Sequence, residues 1–136
     1  MRGWIGVDFD GTLATYDAWE SASAVGEPIG PMVERVKRWL GQGREVRIFT
    51  ARIYPQTALV HPEWDSVELL RHLGGQWAQA GEAIVAIRAW SLLHIGQVLA
   101  ITCVKDPGMI ELYDDRCVQV HPNTGLLVGE STRNLE

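Results

Sequence analysis

The chain has 136 residues, 46% apolar and 21% charged, the balance of an ordinary globular protein with material for about one domain. Its net charge of −5 gives no basic footprint, which disfavours long nucleic acid as a partner, and no apolar run approaches the ~20 residues of a membrane-spanning helix. Only Arg2 is basic before Asp8 breaks the first apolar run, so the start does not read as a signal peptide; the expected location is cytoplasmic, with no membrane contact.

In chain order, WIGV (4–7) reads as a short buried strand, apolar on both faces apart from its glycine. A polar loop follows. PMVERVKRWL (31–40) then carries Met32, Val33, Val36, Trp39 and Leu40 on one helical stripe, with Pro31 in the first turn and Gly41 and Gly43 to end it. EVRIFT (45–50) is the second strand. ARIYPQTALVHPEWD (51–65) holds two prolines and reads as an irregular loop, and DSVELLRHL (65–73) as a short helix capped by Asp65. AQAGEAIVAIRAWSLLHIG (78–96) is a longer, well-buried helix whose stripe is Ala83, Ile84, Ile87, Trp90 and Ile95. QVLAITCV (97–104) and MIELYDD (109–115) are strands three and four. CVQVHPNTGLLVG (117–129) reads as a strand, a turn at PNTG and a second short strand, before six frayed residues. Cys103 and Cys117 lack metal spacing and read as small buried apolar residues, and the six tryptophans as core and lid packing.

Strands alternating with helices predict an α/β fold: a parallel sheet with helices on both faces, and ligands at the carboxyl ends of its strands. Those ends carry the chemistry. Strand one ends in Asp8, strand two in Thr50 and strand four in Asp114 and Asp115, with Lys105 just after strand three. Carboxylates converging on one point repel unless a cation holds them, and an oxygen-rich set suits Mg²⁺. A threonine and a lysine beside it suit a phosphoryl group. In DFDGT, Asp8 and Asp10 lie two apart on extended backbone, so one carboxylate can attack and the other can move the proton. Gly11 permits a bend that turns the following amides toward the site.

DFDGTL after an apolar strand resembles the first motif of the haloacid dehalogenase superfamily, which is dominated by phosphatases. RIFTAR resembles the second motif, CVKD supplies a candidate for the third, and ELYDDR resembles the fourth. The resemblance spans nearly the whole chain in the family's order. It implies a three-layer Rossmann-like fold and a Mg²⁺-dependent phosphatase. Asp8 would form an aspartyl-phosphate and Asp10 would be the general acid/base. Thr50 would hold the phosphoryl group and Lys105 would neutralise charge. The metal would sit on Asp8, the Asp10 backbone carbonyl and Asp114, with Asp115 binding through water or orienting the site. Gly11, Thr12 and Arg52 join Thr50 as candidate phosphate-binding residues, although surface ion pairing is the competing reading for Arg52 and Arg116.

About 36 residues separate Leu13 from Thr50, and about 54 separate Thr50 from Lys105, so no full cap domain fits. The expected organisation is one domain over 1–136, with a small inserted loop or mini-lid at about 53–77, where His61 and Trp64 could close over a substrate. The expected substrate is a small phosphorylated metabolite or a nucleotide. A nucleic-acid end-processing phosphatase and a non-catalytic binding module of the same fold stay open as alternatives, as does a homodimer in which a second copy serves as lid.

Overall fold

The computed structural model describes residues 3–73 and 78–129. Four parallel strands, β1 (Trp4–Asp8), β2 (Glu45–Phe49), β3 (Ala100–Thr102) and β4 (Met109–Tyr113), lie in the order β3-β2-β1-β4. Helix α1 (Gly30–Gly41) links β1 to β2, and α2 (Ser66–Leu73) and α3 (Ala78–His94) lie between β2 and β3. The expected alternation and the parallel sheet are therefore present.

The strand order fixes where a site can form. From β1 the chain moves outward through β2 to β3, then returns to place β4 on the other side of β1. The order reverses between β1 and β4, so their carboxyl ends form the switch point where a ligand crevice is expected. In register, Val7 faces Tyr113 across the ladder and Asp8 faces Phe49, so Asp8 and the residues after Tyr113 leave the sheet together.

Burial explains why these segments form strands. Ile5, Val7, Ile48 and Ile101 are fully buried, and each such side chain contributes roughly 1.5–3 kcal/mol of apolar burial. Helix α1 buries Met32, Val33, Val36 and Trp39, the stripe expected from its period. Helix α2 starts at the expected cap: the Glu68 amide donates to Asp65 Oδ1 at 2.9 Å, and the Asp65 amide donates back to Glu68 Oε1 at 3.3 Å, a reciprocal capping box. Helix α3 seals the core with Ala83, Ile84, Ile87 and Trp90. Trp90 packs edge-on against Phe9 with ring centroids 5.0 Å apart, and its indole N–H donates to the Gly26 carbonyl at 2.9 Å. That bond ties the loop after β1 to the helix layer.

Two expectations change. Residues 117–129 do not form paired strands: a single bridge joins Val120 to Leu127 around a turn with Asn123 and Gly125 at positive φ. The side chains there have no core beneath them, and Cys117 is accordingly exposed rather than buried, whereas Cys103 is partly buried against the core. The segment after β2 is also less free than a loop. Val60 pairs with Ile101 through backbone bonds of 2.9 and 3.1 Å, covering the outer edge of β3. Residues 74–77, the end of the expected mini-lid, and residues 130–136, which include the expected frayed end, lie outside the described residues. No helix among the described residues is long and apolar enough to cross a membrane.

Candidate active site

At the crevice, β1 delivers Asp8 and the turn after β4 delivers Asp114 and Asp115, with one carboxylate oxygen from each lying within 4.8 Å of the other two. Their arrangement is fixed by short-range packing. Thr12 is buried, and its hydroxyl lies 3.4 Å from Asp8 Oδ2 and 3.3 Å from Asp115 Oδ1 while accepting from the Asp115 amide at 3.1 Å. Thr12 thus pins the segment after β4 to the turn after β1. Gly11 sits at φ +85°, and a Cβ there would meet Asp115 Oδ2 at 2.5 Å. Only glycine satisfies both the backbone and the close carboxylate. Asp114 Oδ1 accepts from the Arg116 amide at 2.8 Å, which turns the chain back after the acidic pair.

Bringing these acids together has an electrostatic cost. Burial, the Asp115 carboxyl and the charges of Asp114 and Asp115 push the Asp8 pKa up from 3.8 to about 8. A divalent cation among the three would offset this repulsion, and an all-oxygen donor set suits Mg²⁺. The residues present therefore fit such an ion.

Asp10 points elsewhere. Its carboxylate makes a two-pronged ion pair with Arg52, Nε to Oδ2 at 2.6 Å and Nη2 to Oδ1 at 2.8 Å. Arg52 Nη1 donates to the Ala22 carbonyl at 3.0 Å, and the guanidinium lies 5.8 Å from the Phe9 ring and 5.5 Å from the Trp19 ring. With its side chain only 6% exposed, Arg52 is no surface residue, and its fork is committed to Asp10 rather than open to a phosphate. The Asp10 side chain is not part of the three-carboxylate group among the described residues.

The other candidates are distributed unevenly. Thr50 is buried, and its hydroxyl accepts the Arg52 amide at 3.2 Å, capping the single 3₁₀ turn Ala51–Ile53; it also lines the cleft. Lys105 is exposed on the loop after β3 and does not line the cleft, although the next residue is anchored: Asp106 accepts from the Trp4 indole at 2.8 Å and from Arg47 at 3.4 Å. The amides of Gly11, Thr12, Leu13 and Ala14 do not turn toward the crevice as expected. They donate to Ala14 and Phe9 carbonyls within the turn, because four residues of tight backbone must satisfy their own donors. His61 and Trp64 do not close over the cleft: Arg88 donates to both their carbonyls, at 2.7 and 2.6 Å, and His72 stacks on Trp64 at 4.0 Å.

The cleft holding Asp8, Asp10, Asp114 and Asp115 has a volume of about 520 Å³ and is also lined by Tyr16, Trp19, Tyr54 and Arg116. A larger hollow of about 750 Å³ lies between α2 and α3, but its walls are mainly Leu, Val and Ala with Glu82 its one acidic group. It lacks converging polar groups, so the smaller cleft is the candidate site. The Arg52–Asp10 pair and the aromatic wall were not anticipated from the sequence; the arginine two residues after Thr50 and the run TYDAW (15–19) are the signals that mark them.

In comparisons with family models, curated proteins and solved structures, nothing matches this chain. The resemblance to the haloacid dehalogenase superfamily rests on the sequence stretches DFDGTL, RIFTAR, CVKD and ELYDDR alone.

Proposed function

We propose that the chain is a Mg²⁺-dependent phosphatase that hydrolyses a phosphate monoester through an aspartyl-phosphate on Asp8, built as a minimally capped, three-layer member of the haloacid dehalogenase superfamily. The observation that carries this reading is the convergence of Asp8, Asp114 and Asp115 at the switch point of a parallel sheet, with Thr50 at the end of the neighbouring strand.

In this reading Asp8, Asp114 and the Asp10 backbone carbonyl would hold Mg²⁺, with Asp115 binding it through water or orienting the site. When bound, the ion neutralises the acidic cluster and the phosphate oxygens, so that Asp8 works ionised near neutral pH. An Asp8 carboxylate oxygen attacks phosphorus, forming a new P–O bond as the bond to the leaving oxygen breaks. Asp10 gives that oxygen its proton. Asp10 then takes a proton from water as the water oxygen attacks phosphorus, breaking the acyl-phosphate bond and releasing phosphate from Asp8. Thr50 offers its hydroxyl to the phosphoryl oxygens. Lys105, exposed on its loop, neutralises charge only if that loop approaches the cleft. Arg52 holds both Asp10 oxygens, so it acts in this reading by positioning Asp10 and must share that carboxylate during proton transfer.

Hydrolysis of a generic aryl phosphate tests the proposal. Turnover that requires Mg²⁺ and disappears in Asp8→Asn is expected. Turnover that survives Asp8→Asn would rule out the aspartyl-phosphate route.

A further inference from the structure

Among the described residues, the exposed tyrosine and tryptophan side chains are three: Tyr16 at 45%, Trp19 at 55% and Tyr54 at 76%. All three line the carboxylate cleft. Other indole and phenyl rings, including Trp4, Phe9, Trp39 and Trp90, are packed in the interior. Leaving large rings in water forgoes their burial energy, and concentrating them at one cleft is the arrangement of a ring-binding wall.

The wall is also held in place. The loop bearing Tyr16 and Trp19 is closed at its base, where the Thr15 amide donates to the Glu27 carbonyl at 2.9 Å and the Ile29 amide to the Leu13 carbonyl at 2.7 Å. Gly26 packs so closely there that any Cβ would overlap Thr15. The Arg52 guanidinium lies against the Trp19 ring while gripping Asp10, so one side chain links the acidic floor to the aromatic wall. Tyr54 follows the 3₁₀ turn that Thr50 caps. The Gln79 amide, on the same cleft, offers both a donor and an acceptor.

We propose that this cleft binds a nucleoside monophosphate, with its phosphate at the Asp8 end and its base against Trp19 and Tyr54. The placement of the phosphate rests on the function proposed above; the placement of the base rests on the aromatic wall alone. A cleft of about 520 Å³ is of small-molecule size. Every base offers a π face that stacks on such a wall, whereas a sugar phosphate has no aromatic ring and can offer only C–H contacts. The net charge of −5 favours a single nucleotide over a polynucleotide, whose backbone needs basic contacts along its length.

The test is calorimetric titration of the Asp8→Asn protein, in Mg²⁺, with adenosine monophosphate and with ribose 5-phosphate, the same sugar phosphate without its base. The nucleotide is expected to bind at least about ten-fold more tightly. Trp19→Ala and Tyr54→Ala are each expected to erase much of that preference, and Trp19→Phe to keep it. Both residues are exposed, and circular dichroism verifies that each variant folds. Equal affinity for the two ligands, no binding of either, or a preference untouched by both alanine substitutions would overturn the assignment. A short phosphorylated single strand binding more tightly than the mononucleotide would overturn it too. Because binding is read without turnover, loss of base preference with intact aryl phosphate hydrolysis defeats this inference alone. Base-dependent binding without hydrolysis of any ester defeats the phosphatase reading alone.

Discussion

Removing the Asp8 charge should stabilise the metal-free protein even though it abolishes the proposed chemistry. In the folded chain the Asp8 carboxyl is pushed from 3.8 up to about 8, chiefly by burial and then by its two acidic neighbours. At about 1.4 kcal/mol per pH unit, a shift of that size corresponds to roughly 5–6 kcal/mol of unfavourable ionisation above pH 8. Asp8 is only half-buried and opens on the cleft, so solvent screening reduces the realised effect to about 1–3 kcal/mol. Asp8→Asn keeps the shape and removes the charge. In EDTA at pH 8 its Tm should therefore exceed that of the natural protein by roughly 3–8 °C. Saturating Mg²⁺ should reverse the order, since the natural protein gains about 2.7 kcal/mol at a hundred times Kd and the variant has lost a ligand. Thermal melts of both proteins, with EDTA and with Mg²⁺, decide it. An Asp8→Asn protein less stable than the natural one in EDTA would refute the reasoning, because the cluster would then not be electrostatically strained.

The same cluster sets a pH dependence. The folded state holds the Asp8 proton up to about pH 8 while the unfolded state releases it near 3.8, so in EDTA stability should fall as pH rises through that window. Urea titrations of the natural protein minus those of Asp8→Asn isolate the slope, and a flat or rising difference would contradict the shift. Arg52→Lys keeps a positive charge but loses the fork on Asp10, so kcat should drop at least ~10-fold, with a smaller loss of stability than the ~2–3 kcal/mol expected for Arg52→Ala. Unchanged kcat in Arg52→Lys would show that the two-pronged grip has no catalytic role. Gly11→Ala should cost about 1–3 kcal/mol, from the positive φ and the overlap with Asp115, and should weaken Mg²⁺ binding; a neutral variant would mean that the turn relaxes freely.

Much of the architecture was legible because it depends on local periodicity. The α1 stripe from Met32 to Leu40, the capping pair Asp65 and Glu68, and the apolar runs before Asp8 and Asp114 all report on their own neighbourhood. The gathering of Asp8, Asp114 and Asp115 followed from strand ends meeting at a switch point, a rule of topology rather than of sequence distance. What escaped notice was decided by competition between partners. Nothing in TAR says that Arg52 will turn inward to Asp10 and Ala22 rather than outward to solvent. Trp19 resembles any other tryptophan until the loop around it closes at Thr15 and Glu27. Cys117 lacks metal spacing and so reads as a small buried residue, but residue type alone does not show that its segment has no core to pack on.

The most direct test of the central claim is to look for the covalent intermediate. The natural protein would be mixed with an aryl phosphate in Mg²⁺, quenched in acid within milliseconds, and its Asp8 peptide analysed by mass spectrometry. The account predicts one added phosphoryl group on Asp8, labile to hydroxylamine, absent without Mg²⁺ and absent from Asp8→Asn. Turnover of the ester with the phosphoryl group on another residue, or with no covalent adduct at any quench time, would contradict it.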